Sequence, residues 1–131
     1  MDLRNPVLIK KPRVRKIPCR TDPIPSEHLE QALFVQWFRR TFHDVRIFAI
    51  PNGGSRSRSQ GAKLKVEGVS AGVPDLFIPC GMIWVEMKRA KGGSVSAEQK
   101  SWHDYLADIG HTVIVGYGFE DAKSKILSCM D

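Results

Sequence analysis

Cysteine is scarce: the 131 residues hold three, Cys19, Cys80 and Cys129, far apart and odd in number. No CxxC pair exists to suggest zinc, and an odd, dispersed set argues against a disulfide framework. No apolar run approaches the ~18–20 residues a membrane helix needs, which excludes a spanning helix. The opening stretch MDLRNPVLIKKPRVRK has one short apolar triplet and lacks the apolar centre of a signal peptide. A reduced, cytoplasmic protein is the expectation. Also missing are a GxxxxGK[ST] phosphate loop, a GxSxG nucleophile turn and the third glycine that Gly116-Tyr117-Gly118 would need for a dinucleotide fingerprint. The four histidines, His28, His43, His103 and His111, are scattered without metal-ligand spacing and read as surface or structural residues.

What is there looks like one soluble domain, with 42% hydrophobic and 26% charged residues. The net charge of +6 is unevenly spread. Residues 1–25 carry Arg4, Lys10, Lys11, Arg13, Arg15, Lys16 and Arg20 against Asp2 and Asp22, and they hold five of the eight prolines. Proline interrupts helices and removes a ladder donor from strands, so this segment reads as an extended or disordered basic arm. Its charge suits either a solubilising tail or an arm that contacts phosphates. Residues 26–131 read as a single domain.

Within that domain, Ser26 is a good N-cap and EHLEQALFVQWFRRTF reads as a helix. Leu29, Leu33, Phe34, Trp37 and Phe38 spread over about 180° of its circumference, wide enough for a core helix. VRIFAI (45–50) reads as a strand stopped by Pro51-Asn52-Gly53-Gly54. Residues 55–65 are polar and basic with weak helical character, and GVSAGVP (68–74) is a loop. DLFIP (75–79) and MIWVEMK (82–88) read as a hairpin around Cys80-Gly81. Ser96 and Gln99 form a capping box that opens a helix closed near Gly110. On that helix Trp102, Tyr105 and Leu106 read as core. HTVIVGY (111–117) is a strand and FEDAKSKILSCM a terminal helix. No internal repeat appears.

The chemistry concentrates in the hairpin. If the chain turns between Cys80 and Gly81, Ile78 faces Ile83, Leu76 faces Val85 and Asp75 faces Glu86. Opposed residues on one sheet face have Cβ atoms roughly 4.5–5.5 Å apart, and the strand period of two sends Lys88 to the face of Glu86. Two carboxylates and one amine then converge among apolar neighbours. The carboxylates repel unless something positive lies between them. Lys88 does part of that work, and a divalent cation does it better. An all-oxygen site suits Mg²⁺ or Mn²⁺ over zinc. Such an ion polarises a phosphate and lowers the pKa of a bound water, with Lys88 orienting the water or steadying the developing charge. The implied reaction is phosphodiester hydrolysis. The bland alternative is a structural ion-pair cluster, against which stand the strand–turn–strand context and the matched register.

Pro74-Asp75, Glu86-Met87-Lys88 and the αβββαβ order resemble the PD-(D/E)xK nuclease superfamily. SEHLEQALFVQWFR (26–39), IPNGG (50–54), GVPDLFI (72–78), WVEMKRAKGG (84–93) and S-x-EQKSW (96–102) are similar to its virus-type replication-repair nuclease family, VRR-NUC. The likeness runs from about Ser26 to Gly118 and leaves the basic arm outside. It implies a restriction-endonuclease-like α/β fold, a central mixed sheet flanked by helices. It also implies that Asp75 and Glu86 bind the metal with the Met87 backbone carbonyl, that Lys88 is the catalytic lysine and that Gln99 stands near the site. A first-helix glutamate completes the family's site. Glu27 matches its spacing, four positions before Gln31, whereas Glu30 falls inside the apolar arc, where an unpaired carboxylate is costly.

The activity implied is that of a Mg²⁺- or Mn²⁺-dependent deoxyribonuclease in replication, repair or recombination. Stand-alone members look like structure-selective endonucleases on branched DNA such as four-way (Holliday-type) junctions. A two-fold dimer would suit such a substrate, and so small a chain would suit a phage genome. The segment with Arg56, Arg58, Lys63 and Lys65 could lie along DNA phosphates or be an ordinary solvated loop. The rival readings are a DNA-binding module that keeps the fold without catalysis and a protein–protein adaptor that uses its apolar faces.

Overall fold

A computed structural model of the chain describes residues 24–51 and 57–130. The expected arm, apart from Ile24 and Pro25, and the candidate DNA contact Arg56 lie outside the described residues.

Helix α1 (Glu27–Thr41) starts where the Ser26 hydroxyl accepts the Leu29 N–H at 3.2 Å. This satisfies one of the four free amides of a helix N-terminus. The buried stripe is narrower than the expected arc. Phe34 and Phe38 are fully buried along one line of the inner face, while Leu29 and Leu33 are exposed. Trp37 covers the edge of that line, packing on Phe42 and Phe119. Burying each of the two phenylalanines contributes roughly 1.5–3 kcal/mol.

Four strands form one sheet in the order β1-β2-β3-β4: β1 (Phe48–Ala49), β2 (Leu76–Ile78), β3 (Ile83–Lys88) and β4 (Thr112–Tyr117). β1, β2 and β3 are antiparallel neighbours, and β4 joins β3 in parallel. The hairpin register is the expected one, with Leu76 opposite Val85, Phe77 opposite Trp84 and Ile78 opposite Ile83. Its turn closes with the Met82 N–H on the Pro79 carbonyl at 3.0 Å, and Gly81 takes a φ of +82°. The strand expected over 45–50 shrinks to two residues at the sheet edge. The helix exit claims the Val45 N–H, which bonds the Phe42 carbonyl.

The expected αβββαβ order gains a helix. The polar, basic stretch that showed only weak helical character forms α2 (Arg58–Val66) between β1 and β2, N-capped by Ser57. None of its residues is buried. Gly61 in its middle costs about 1 kcal/mol against alanine, which masks the helix in the sequence. A long parallel connection requires a crossover, and α3 (Ala97–Asp108) provides it between β3 and β4.

Side chains alternate along β3. Ile83, Val85 and Met87 join Phe34, Phe38, Leu76, Ile78 and Ile114 in the core beneath α1 and α4 (Phe119–Cys129). Trp84, Glu86 and Lys88 point to the opposite side, toward α3. Gly116 lets α4 come close, since a Cβ there would stand 2.5 Å from that of Ala122. Of the expected α3 core residues only Leu106 is buried. Trp102 is partly exposed, and Tyr105 is 56% exposed because it faces away from the sheet.

Glu30 has its partner in the fold. Its carboxylate accepts the Phe119 N–H at the start of α4, where the N-cap Gly118 has no side chain to do so. A negative group also suits the positive end of the helix dipole. Among the described residues, no helix is long and apolar enough to cross a membrane.

Candidate active site

The C-terminal half of β3, the residue before β2, the end of β1 and the first turns of α1 and α3 surround a cleft of about 580 Å³. Asp75 enters it from the step before β2. Its backbone carbonyl accepts the Ile50 N–H at 2.7 Å and its Oδ2 accepts the Met87 N–H at 2.7 Å. These two bonds stitch Asp75 to both neighbouring strands, so its position follows from the sheet.

Glu86 is 1% exposed, which is costly for a carboxylate. Residues of α3 meet both of its oxygens. Oε1 accepts the Gln99 amide at 3.0 Å, and Oε2 lies 3.5 Å from His103 Nε2. Lys88, also buried, donates from Nζ to Gln99 Oε1 at 2.8 Å and stands 4.0 Å from Glu27 Oε1. The same Gln99 oxygen accepts the Ser96 N–H at 2.9 Å, while the Ser96 hydroxyl accepts the Gln99 N–H at 3.2 Å. Gln99 thus completes the capping box and bridges Lys88 to Glu86 at once.

The approach of the two halves depends on Gly72. Its φ is +90°, and a Cβ there would lie 2.6 Å from the Glu98 carbonyl carbon. Only glycine lets the loop that delivers Asp75 rest on the first turn of α3, the helix that carries Gln99 and, one turn on, His103.

Burial drives the Glu86 carboxyl up to about 8 from the ordinary 4.5. The charge of Asp75 and a hydrogen bond with it push the same way, and the Lys88 ammonium opposes them. The metal-free site thus favours the protonated form of Glu86, which can share its proton with Asp75. Burial also lowers the His103 imidazolium, which favours the neutral ring.

These residues fit a hard divalent cation. Two carboxyl groups are pressed together where burial, and after it their mutual repulsion, disfavours a second negative charge, and a dipositive ion would supply the missing charge. Among the described residues, no group of three His, Cys, Asp or Glu side chains could hold a metal. Two carboxylates suffice for Mg²⁺, which is commonly bound by one or two carboxylates plus substrate phosphates and water.

Of the two first-helix glutamates, Glu27 lines the cleft and Glu30 does not. Gln31, one turn on from Glu27, lines it as well. Arg58, Lys63 and Lys65 are exposed on α2 and do not line it, and Lys63 pairs with Glu67 at 3.9 Å. Two histidines first read as surface or structural border the site: His28 lines the cleft and His103 touches Glu86. The one sequence signal for His103 was its spacing, four residues after Gln99 and hence on the same helix face. His111 is structural, accepting the Trp84 indole N–H at 2.9 Å.

A mixed four-stranded sheet flanked by helices, with this strand order, is a restriction-endonuclease-like core, and the chain has a nuclease-like fold. Among solved structures it is similar to a VRR_NUC domain protein, with a TM-score of 0.69 and 25% identity over 79% of this chain and 87% of that one. This likeness supports the assignment of the chain to the VRR-NUC family. No protein-family model and no curated protein matches it.

Proposed function

We propose that the protein is a Mg²⁺- or Mn²⁺-dependent deoxyribonuclease that hydrolyses phosphodiester bonds, a structure-selective endonuclease on branched DNA in replication, repair or recombination. One observation carries this reading: Asp75 and a deeply buried Glu86 are held together at one end of a cleft, with Lys88 beside them. A fold that needed only stability would gain little from this arrangement, since buried charge is costly even when paired.

Asp75 and Glu86 would hold the cation, with the Met87 carbonyl as a further oxygen ligand and Glu27 at the open side. When bound, the ion supplies Lewis-acid stabilisation of the charge that builds on an attacked phosphate. The remaining work belongs to the chain. Gln99 keeps the Glu86 carboxylate and the Lys88 ammonium in register through its two amide ends. Lys88, partly desolvated, offers its N–H donors to a phosphate oxygen or to the attacking water, where charge develops. Arg58 and Lys65 on α2 would lie along neighbouring phosphates and contribute affinity without sequence selectivity.

The test is a panel of end-labelled duplex, flap, single-stranded and four-way substrates with and without Mn²⁺. We expect metal-dependent cleavage that favours a branched substrate and disappears in Asp75→Ala, Glu86→Ala and Lys88→Ala. Lys88→Ala should keep its affinity for Mn²⁺ in calorimetry. Binding without cleavage under every metal condition would make the protein a DNA-binding module. Cleavage unchanged in all three variants would overturn the site.

A further inference from the structure

We infer that His103 is a positioning residue for Glu86, the second of two α3 side chains that set the angle at which this carboxylate meets a cation. The inference rests on the nuclease reading and adds a residue to it. His103 and Gln99 lie four positions apart on α3 and so share one face. Gln99 takes Oε1 of Glu86 at 3.0 Å, and His103 Nε2 stands 3.5 Å from Oε2, the outer limit of a hydrogen bond.

A carboxylate held at one oxygen can still swing about that contact. One held at both cannot. The environment of His103 fits the task, since its side chain is only 13% exposed and that of Glu86 only 2%. Little water reaches this contact to replace the ring. The groups that act electrostatically on the imidazole are Asp104, Lys88, Asp75 and Lys100, and Lys100 and Asp104 pair with each other at 3.8 Å on the outer side of α3. Residues that hydrogen-bond a metal-ligating carboxylate commonly matter about 10–100-fold in metal affinity or activity. Gly72 extends the same device, since the loop that carries Asp75 rests on the Glu98–Gln99 backbone. Helix α3 thereby references both carboxylates to one rigid element.

The test is calorimetric titration of the full chain with Mn²⁺ alone, together with thermal unfolding in chelator, for His103→Ala, His103→Gln and the control Glu86→Gln. His103→Ala should weaken Mn²⁺ binding about tenfold while the metal-free melting temperature stays within a few degrees of the parent. His103→Gln, whose amide N–H reaches a similar distance, should restore most of that loss. Parent-like Mn²⁺ affinity in His103→Ala, beside clear loss in Glu86→Gln, overturns the role of His103 and leaves the nuclease site intact. Parent-like affinity in Glu86→Gln as well overturns the metal site itself. Should His103→Ala be unstable, His103→Gln decides: a folded His103→Gln protein that binds Mn²⁺ as weakly as Glu86→Gln contradicts positioning by an N–H donor.

Discussion

Replacing Glu86 by glutamine should stabilise the metal-free protein increasingly as the solution becomes more alkaline. In the unfolded chain the carboxyl loses its proton near 4.5, whereas in the folded protein burial and Asp75 hold it to about 8. Between those values folding takes up a proton, so native stability falls as pH rises and levels off above about 8. Each pH unit inside the window costs about 1.4 kcal/mol, and the whole window amounts to something on the order of 4 kcal/mol. Glutamine keeps the shape, still accepts the Gln99 amide and can donate to Asp75, but it has no proton to lose. Its advantage over the parent should be small at pH 5 and reach several kcal/mol at pH 8. His103 runs the opposite way, because its lowered pKa removes stability as pH falls below 6.5. Both proteins share that slope, and it drops out of the difference. Urea midpoints at pH 5, 6.5 and 8 in excess chelator measure the effect. Saturating Mn²⁺ should narrow the gap, since a ligand at a hundredfold its Kd adds about 2.7 kcal/mol to the parent alone. Parallel pH profiles for the two proteins would refute the account of Glu86 as a proton-holding buried acid.

Three further outcomes follow from the packing and the charge. Gly72→Ala should lower stability by about 1–3 kcal/mol through its left-handed backbone and should also weaken Mn²⁺ binding, because the added methyl displaces the first turn of α3; urea unfolding and calorimetry check both. Arg58→Ala with Lys65→Ala should weaken DNA binding similarly on every substrate and reduce the slope of log affinity against log salt by about 2, as read by fluorescence anisotropy. Deleting residues 1–25 should leave a domain that still unfolds cooperatively on heating, because its prolines and charges offer little to a core; loss of the thermal transition would place the arm within the fold.

Much of the fold was legible because it is local. Ser26 and Ser96 announce helix starts through hydroxyls that cap the third amide onward, and both do so. The hairpin register followed from the turn and the strand period of two, which place Asp75 next to Glu86 whatever surrounds them. Helix α2 was hidden because Gly61 weakens it and no apolar stripe marks it, so its helical state leaves no periodic trace. The two acids of α1 differ in the same way. Three residues apart, they are nearly equivalent in sequence, yet Glu27 opens onto the cleft and Glu30 caps α4, which lies almost ninety residues further along the chain.

By itself, then, the amino-acid order determined what neighbouring residues settle between them: caps, the hairpin, and the grouping of Asp75, Glu86 and Lys88 on one ribbon. Tertiary structure decided what covers that ribbon. Whether Glu86 keeps a proton, whether Gln99 caps or bridges, and whether His103 is surface or site all depend on α3 crossing over β3 and excluding water there. Burial is the property no short stretch of sequence contains, because it is set by chain segments that meet only after folding.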